Sequence, residues 1–149
     1  MRYLLDTNII SNVTKPYPSE ELLEWMADQR DSDLFIASLG IAEIRRGILE
    51  KPAGKKRREL EAWFAGPEGP SALFRGRVLS FDEKAALVWA RLMSEGTTTG
   101  RPRSALDMVV AATAEANDCI VATDNERHFA GIRAFNPMRG RRYKESDGG

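Results

Sequence analysis

The chain has 149 residues, a length that suits one compact domain with a single core and argues against two. With 42% hydrophobic and 30% charged residues it has the composition of a globular protein rather than a disordered or membrane-spanning one. Its 22 basic residues balance 22 acidic ones, which excludes a uniformly basic coat for nucleic acid and leaves only local basic stripes open.

Tyr3, Leu4 and Leu5 form an apolar run that predicts a first strand, over residues 3–5, far too short for a signal peptide or a membrane span. Ser19, followed by Glu20 and Glu21, opens a helix to residue 29 with Leu22, Leu23, Trp25 and Met26 on one side. A second strand over 34–37 leads into a helix from Ser38 to about Leu49, stopped by Pro52 and Gly54. Another helix spans 55–65 and ends at Gly66 and Pro67. A third strand, 78–81, precedes a helix over 82–95 whose apolar residues wrap most of its circumference and predict burial on two sides. After the turn-rich stretch 96–102 comes a helix over 104–117, then a fourth strand over 119–122 and a weaker fifth near 134–136. Apart from Ser80 the four clear runs are apolar throughout, the pattern of parallel strands covered on both faces. The expected fold is therefore an open parallel-sheet α/β sandwich of three layers with helices on both faces, over residues 1–138. Residues 139–149 are polar, end in Gly148 and Gly149, and read as a flexible C-terminal tail.

One cysteine, Cys119, precludes an intramolecular disulfide and fits a reduced, cytoplasmic setting; one histidine, His128, precludes a His-pair zinc site. If the chain is an enzyme, its chemistry must come mainly from carboxylates, hydroxyls, amides and any metal they hold. In an open parallel sheet, ligands bind beyond the carboxyl ends of the strands. Asp6 follows the first strand directly, Asp124 lies two residues past the fourth, Glu43 stands about a turn into the helix after the second, and Asp107 occupies the first turn of its helix. On this topology four carboxylates converge on one edge. Each also has a local reading: Asp6 as a turn cap, Asp107 paired with Ser104 in a capping-box-like arrangement, Glu43 as a solvated acid, Asp124 with Asn125 as a turn. Gathered together, four like charges repel unless a divalent cation neutralises them, and hard oxygen donors without His or Cys select Mg²⁺ or Mn²⁺.

These residues resemble a known family. Asp6, Thr7 and Asn8 after an apolar strand look like the opening of PIN-domain ribonucleases, and Ala42, Glu43, Ile44 and Gly47 are similar to their next conserved helix. Gly100, Arg101, Pro102, then Ala105, Leu106, Asp107 and the run Ala111–Ala114 resemble a segment of the VapC toxins and their FitB-like relatives. Val121, Ala122, Thr123, Asp124, Asn125, His128 and Phe129 resemble their closing motif, and Phe135, Asn136 and Pro137 the last strand. The matches run in order from residue 1 to about 138. The resemblance implies a PIN-like fold, Asp6, Glu43, Asp107 and Asp124 as catalytic, metal-holding acids, and Thr7, Asn8 and Thr123 as donors that orient them. His128 stands where many relatives carry an acid, which weakens the case for Asp124 as a direct ligand.

The resemblance further implies a Mg²⁺- or Mn²⁺-dependent endoribonuclease with one or two ions, acting as the toxin of a toxin–antitoxin pair, usually a homodimer, and held inactive by a VapB-like antitoxin. Net charges of −4, +4, −3 and +3 over residues 1–50, 51–80, 81–130 and 131–149 leave basic stretches for RNA. Arg101 and Arg103 beside Asp107, Arg45 and Arg46, and the cluster 55–58 are the candidates for phosphate contact. Trp25, Trp63 and Trp89 fall on apolar helix faces and suit core packing better than base stacking; His128 beside Phe129 suits a structural role better than catalysis. Two rivals stay open. A haloacid-dehalogenase-type phosphatase also places an Asp after its first strand, although it needs an acid where this chain has Asn8. A non-catalytic module would use the same acids to hold a cation or a basic peptide.

Overall fold

A computed structural model describes residues 1–139 of the chain. Five short strands, β1 (Tyr3–Leu5), β2 (Leu34–Ala37), β3 (Val78–Leu79), β4 (Ile120–Ala122) and β5 (Ala134–Phe135), pair in parallel in the order β3-β2-β1-β4-β5. Successive residues of β1 point to opposite faces, and both faces are covered. Tyr3 and Leu5 pack with Ile9, Leu22, Trp25 and Ile44 on one side, while Leu4 packs with Met108, Ala111 and Val121 on the other. This is why the runs are apolar throughout.

The first face is covered by α1 (Thr7–Val13), α2 (Glu20–Ala27) and α3 (Ser38–Leu49), with α4 (Lys55–Ala65) and the short α5 (Pro70–Leu73) at its margin. Trp25 anchors it, meeting Tyr3 edge-on at 4.9 Å and Phe135 at 5.2 Å. The second face carries α6 (Glu83–Thr98) and α7 (Ala105–Ala116), packed against each other. The predicted Ser caps form as read: Ser19 accepts from the Leu22 amide and Ser104 from the Asp107 amide.

Several boundaries differ from expectation. Helix α1 has only seven residues, too few to display a period, and was not predicted. The four-residue α5 sits in a Gly- and Pro-rich stretch that reads as loop. Strand β3 stops at Leu79, leaving Phe81 40% exposed. Strand β4 starts one residue late, after a left-handed turn at Asp118 (φ 53°). Helix α6 does not stop at residue 95. It runs through Gly96, a buried glycine whose missing Cβ would meet the Arg101 carbonyl at 3.0 Å and the Arg103 stem at 3.1 Å, so the residue serves close packing and not termination. Nor is α6 buried on two sides: Ala85, Leu92 and Gly96 face inward, while Leu87 is 67% exposed. Arg139, assigned to the tail, belongs to a 3-10 turn (Pro137–Arg139) and pairs with Glu126 at 2.8 Å; the rest of that tail, residues 140–149, lies outside the described residues.

Candidate active site

The strand order reverses at β1. The chain leaves it to build β2 and β3 on one side, then returns to place β4 on the other. Such a switch point opens a crevice at the strand ends, and the residues that follow β1 and β4 meet there: the Asp6 amide donates to the Ala122 carbonyl at 2.9 Å.

Asp6 is 9% exposed and does two things. Its Oδ1 caps α1 by accepting from the Thr7 amide at 2.9 Å. Its Oδ2 accepts from the Thr123 hydroxyl at 2.9 Å and the Asn8 amide at 3.4 Å. Asn8 also donates to Thr123 Oγ1, which in turn accepts from the Asn125 amide at 3.0 Å. Thr7 donates its hydroxyl to Glu43 Oε1 at 3.2 Å, joining α3 to the cluster. Asp107, half-buried in the first turn of α7, lies 3.3 Å from His128 Nδ1. His128 therefore points out to an acid of the site, while its neighbour Phe129 enters the core at 2% exposure.

Burial pushes the pKa of Asp6 up. The Thr123 and Thr7 hydrogen bonds pull it down, and the charges of Asp107 and Glu43 push it up again. Three of the four predicted acids thus share one electrostatic neighbourhood. Asp124 joins it differently: its side chain is exposed, and its backbone amide donates to Asn8 Oδ1 at 3.3 Å. The three predicted orienting residues, Thr7, Asn8 and Thr123, all take part.

Oxygen donors, burial of Asp6 and repulsion among three carboxylates fit a hard divalent cation. Among the described residues, however, no three Asp, Glu, His or Cys side chains stand close enough together to hold an ion as placed. As placed, Asp6 accepts from Thr123 and Asn8, Glu43 accepts from Thr7, and Asp107 faces His128.

The predicted basic residues separate. Arg45 lies 3.7 Å from Glu61 and over the Phe64 ring; Arg46 bonds Glu50 at 2.8 Å. In the 55–58 cluster Lys55 and Arg57 pair with Glu59 and Glu61 one turn on. Arg103, 18% exposed, donates to the carbonyls of Leu92 at 2.7 Å and Ala130 at 3.5 Å and meets Glu95. It is a strut between α6 and the 3-10 turn Glu126–Phe129. Arg101 is exposed and, among the described residues, has no acidic partner. Trp25 and Trp63 pack in the core as expected, and Trp89 donates its indole N–H to the Ala105 carbonyl. Sequence reasoning missed Arg127, exposed beside His128, because a single basic residue in a short turn carries no pattern.

A doubly wound parallel sheet with a cluster of acids at its switch point defines an α/β domain of the kind that binds ligands at strand ends. The chain belongs to the PIN-domain family, whose profile matches residues 3–134. It is 35% identical over 136 residues to the toxin FitB of Neisseria gonorrhoeae and 36% identical over 136 residues to the VapC ribonuclease Y4jK of Sinorhizobium fredii, covering 90% of this chain and 96% of each relative. Its fold is similar to the crystal structure of FitAcB from Neisseria gonorrhoeae, with a TM-score of 0.82 and 34% identity over 91% of this chain and 97% of that one. The phosphatase alternative falls with this membership, and the structure removes its chemical basis as well: Asn8, at the position that needs a second acid, is an amide donor to Asp6.

Proposed function

We propose that the chain is a divalent-metal-dependent endoribonuclease and the toxin of a toxin–antitoxin pair. The observation that carries this reading is Asp6: a buried carboxylate whose pKa is raised by burial and by two further acids, Asp107 and Glu43, with no Lys or Arg paired to it among the described residues. Asp6, Glu43 and Asp107 would hold one or two Mg²⁺ or Mn²⁺ ions, with Asp124 at the rim. When bound, such an ion offsets phosphate charge and lowers the pKa of a water that attacks the phosphodiester in line.

The chain's own residues do the rest. Thr123 and Asn8 hold the Oδ2 edge of Asp6 while the Thr7 amide holds Oδ1, so the carboxylate is fixed at both ends. Thr7 holds Glu43 and so sets the distance between α3 and α1. His128, with Nδ1 3.3 Å from Asp107, would help to hold that carboxylate in place. The relatives named FitB toxin and VapC ribonuclease, similar over nine-tenths of the chain, support this class of reaction.

An antitoxin partner follows from the same likeness, since FitAcB and the VapBC assemblies are complexes. A groove of about 690 Å³ floored by Ile9, Val13, Met26, Leu60 and Trp63 has the apolar chemistry to take a peptide of that partner. A homodimer belongs to the same reading and is checked by sedimentation at micromolar concentration. A cytoplasmic setting agrees with the buried free Cys119, and no helix among the described residues is long and apolar enough to cross a membrane.

The deciding assay compares wild type with Asp6→Asn and Asp107→Asn on RNA in Mn²⁺ and in EDTA. Cleavage by wild type in Mn²⁺ alone is expected. Undiminished cleavage in EDTA or in either variant overturns the reading, and metal-dependent stabilisation with no cleavage of varied RNAs would favour a non-catalytic cation-binding module.

A further inference from the structure

We propose that the groove between the end of α6, the start of α7 and the 3-10 turn Glu126–Phe129 is the track for the RNA backbone, gripped by Arg101 and Arg127 and not by Arg103. This rests on the ribonuclease reading above and adds which cations meet the substrate.

The groove encloses about 830 Å³, and its lining includes Arg101, Arg103, Ser104, Asp107, Arg127 and His128. It is therefore continuous with the acidic site through Asp107 and His128. Three arginines line it, but they are not equivalent. Arg103 spends its guanidinium on the Leu92 and Ala130 carbonyls and on Glu95, and lies pressed between two glycines. A Cβ on Gly96 would meet its stem at 3.1 Å, and one on Gly131 its Nη2 at 2.9 Å. It builds the floor by tying α6 to the turn. Arg101 and Arg127 are exposed, line the same groove, and have no acidic partner among the described residues.

A phosphodiester has the chemistry to occupy this place. A guanidinium offers forked donors that match non-bridging phosphate oxygens. On the metal-dependent reading the neighbouring acids would hold a cation, and a strand carrying successive phosphates would face that cation at one end of the groove and the arginines at the other. Lys56 and Arg58 are also exposed cations, yet neither lines this groove; they measure what unplaced charge does.

The test measures binding of an unpaired RNA oligomer to the full chain in EDTA, in an Asp6→Asn background so that the strand stays intact, across a salt series. Each phosphate contact to a single strand contributes about 0.7 to the slope of log K against log salt. Arg101→Ala and Arg127→Ala should each lower that slope by about 0.7, and the double variant by about 1.4. Lys56→Ala/Arg58→Ala should leave it unchanged. An unchanged slope in the double arginine variant, an equal loss in the α4 control, or no RNA binding at all overturns the proposal. Arg103→Met with a slope loss as large as Arg101→Ala overturns the division of roles; circular dichroism of each variant identifies any loss that comes from unfolding. Failure of the ribonuclease reading would register elsewhere, as absent or EDTA-resistant cleavage by wild type.

Discussion

Asp6 shows how a single residue can work against the fold that carries it. Its pKa is raised by burial and by Asp107 and Glu43, so the folded chain holds this proton to a higher pH than the unfolded chain does. Ionising Asp6 therefore opposes folding: stability falls as pH rises from the ordinary carboxylate range through the raised value, then levels off. Asp6→Asn removes the charge and keeps an oxygen for the Thr7 amide, but it puts an amide nitrogen where Thr123 and Asn8 donate, a loss that does not vary with pH. In EDTA the melting temperature of the variant relative to wild type is expected to rise between about pH 4 and neutral pH, with RNA cleavage lost throughout. Melting curves across pH check it; a gap independent of pH would show that the charge is not what destabilises. Thr123→Val probes the neighbour. It removes a fully buried hydroxyl that donates to Asp6 and accepts from the Asn125 amide. A loss of about 1–3 kcal/mol is expected from the unsatisfied groups, with Mn²⁺ binding weakened roughly 10-fold or more once Asp6 is free to rotate. Urea unfolding and metal titration measure the two effects separately.

At the scale of elements, what was legible depended on how local the cause is. The caps at Ser19 and Ser104 act within one turn, and both were readable. The uninterrupted apolarity of the strands foretold a sheet covered on both sides, because every strand residue must suit one face or the other. Helix α1 was not legible, since its start is set by Asp6, a residue with a second task, and its length is under two turns. The glycine inside α6 at position 96 answers to Arg101 and Arg103, which pack against it from beyond the end of the helix. Arg77 is a further long-range cause. Its guanidinium donates to the carbonyls of Asp31, Leu34 and Leu73, each at 2.6 Å, and stacks over Phe74 at 4.8 Å, joining α5 to the start of β2. Arg77→Ala should cost about 2 kcal/mol, the range for charge-assisted hydrogen bonds partly open to water. The urea midpoint should fall with its slope unchanged; no shift would mean that water replaces Arg77 without loss.

Over the whole molecule, zero net charge hides a division of labour. Asp6, Asp107 and Asp124 could be read as candidates because each follows a strand end or opens a helix, and Glu43 because it lies inside the helix after β2, positions that the parallel topology brings towards one edge. Which arginines remain free was not legible, because the partners of Arg103 come from α6 and from residue 130, and that of Arg45 from α4, whereas Arg46 pairs locally with Glu50 four residues on. The acids repel one another at the crevice while the rest of the sheet holds them there, so an ion that binds the folded chain alone must stabilise it by mass action. At a concentration 100-fold above its dissociation constant the gain is about 2.7 kcal/mol, and for a domain of this size that raises Tm by about 8 °C. Wild type should show such a rise with Mn²⁺ and none in EDTA. Asp6→Asn/Asp107→Asn, which removes two of the three mutually repelling charges, should gain little. An equal rise in wild type and double variant would place the ion elsewhere and detach the acidic crevice from metal binding.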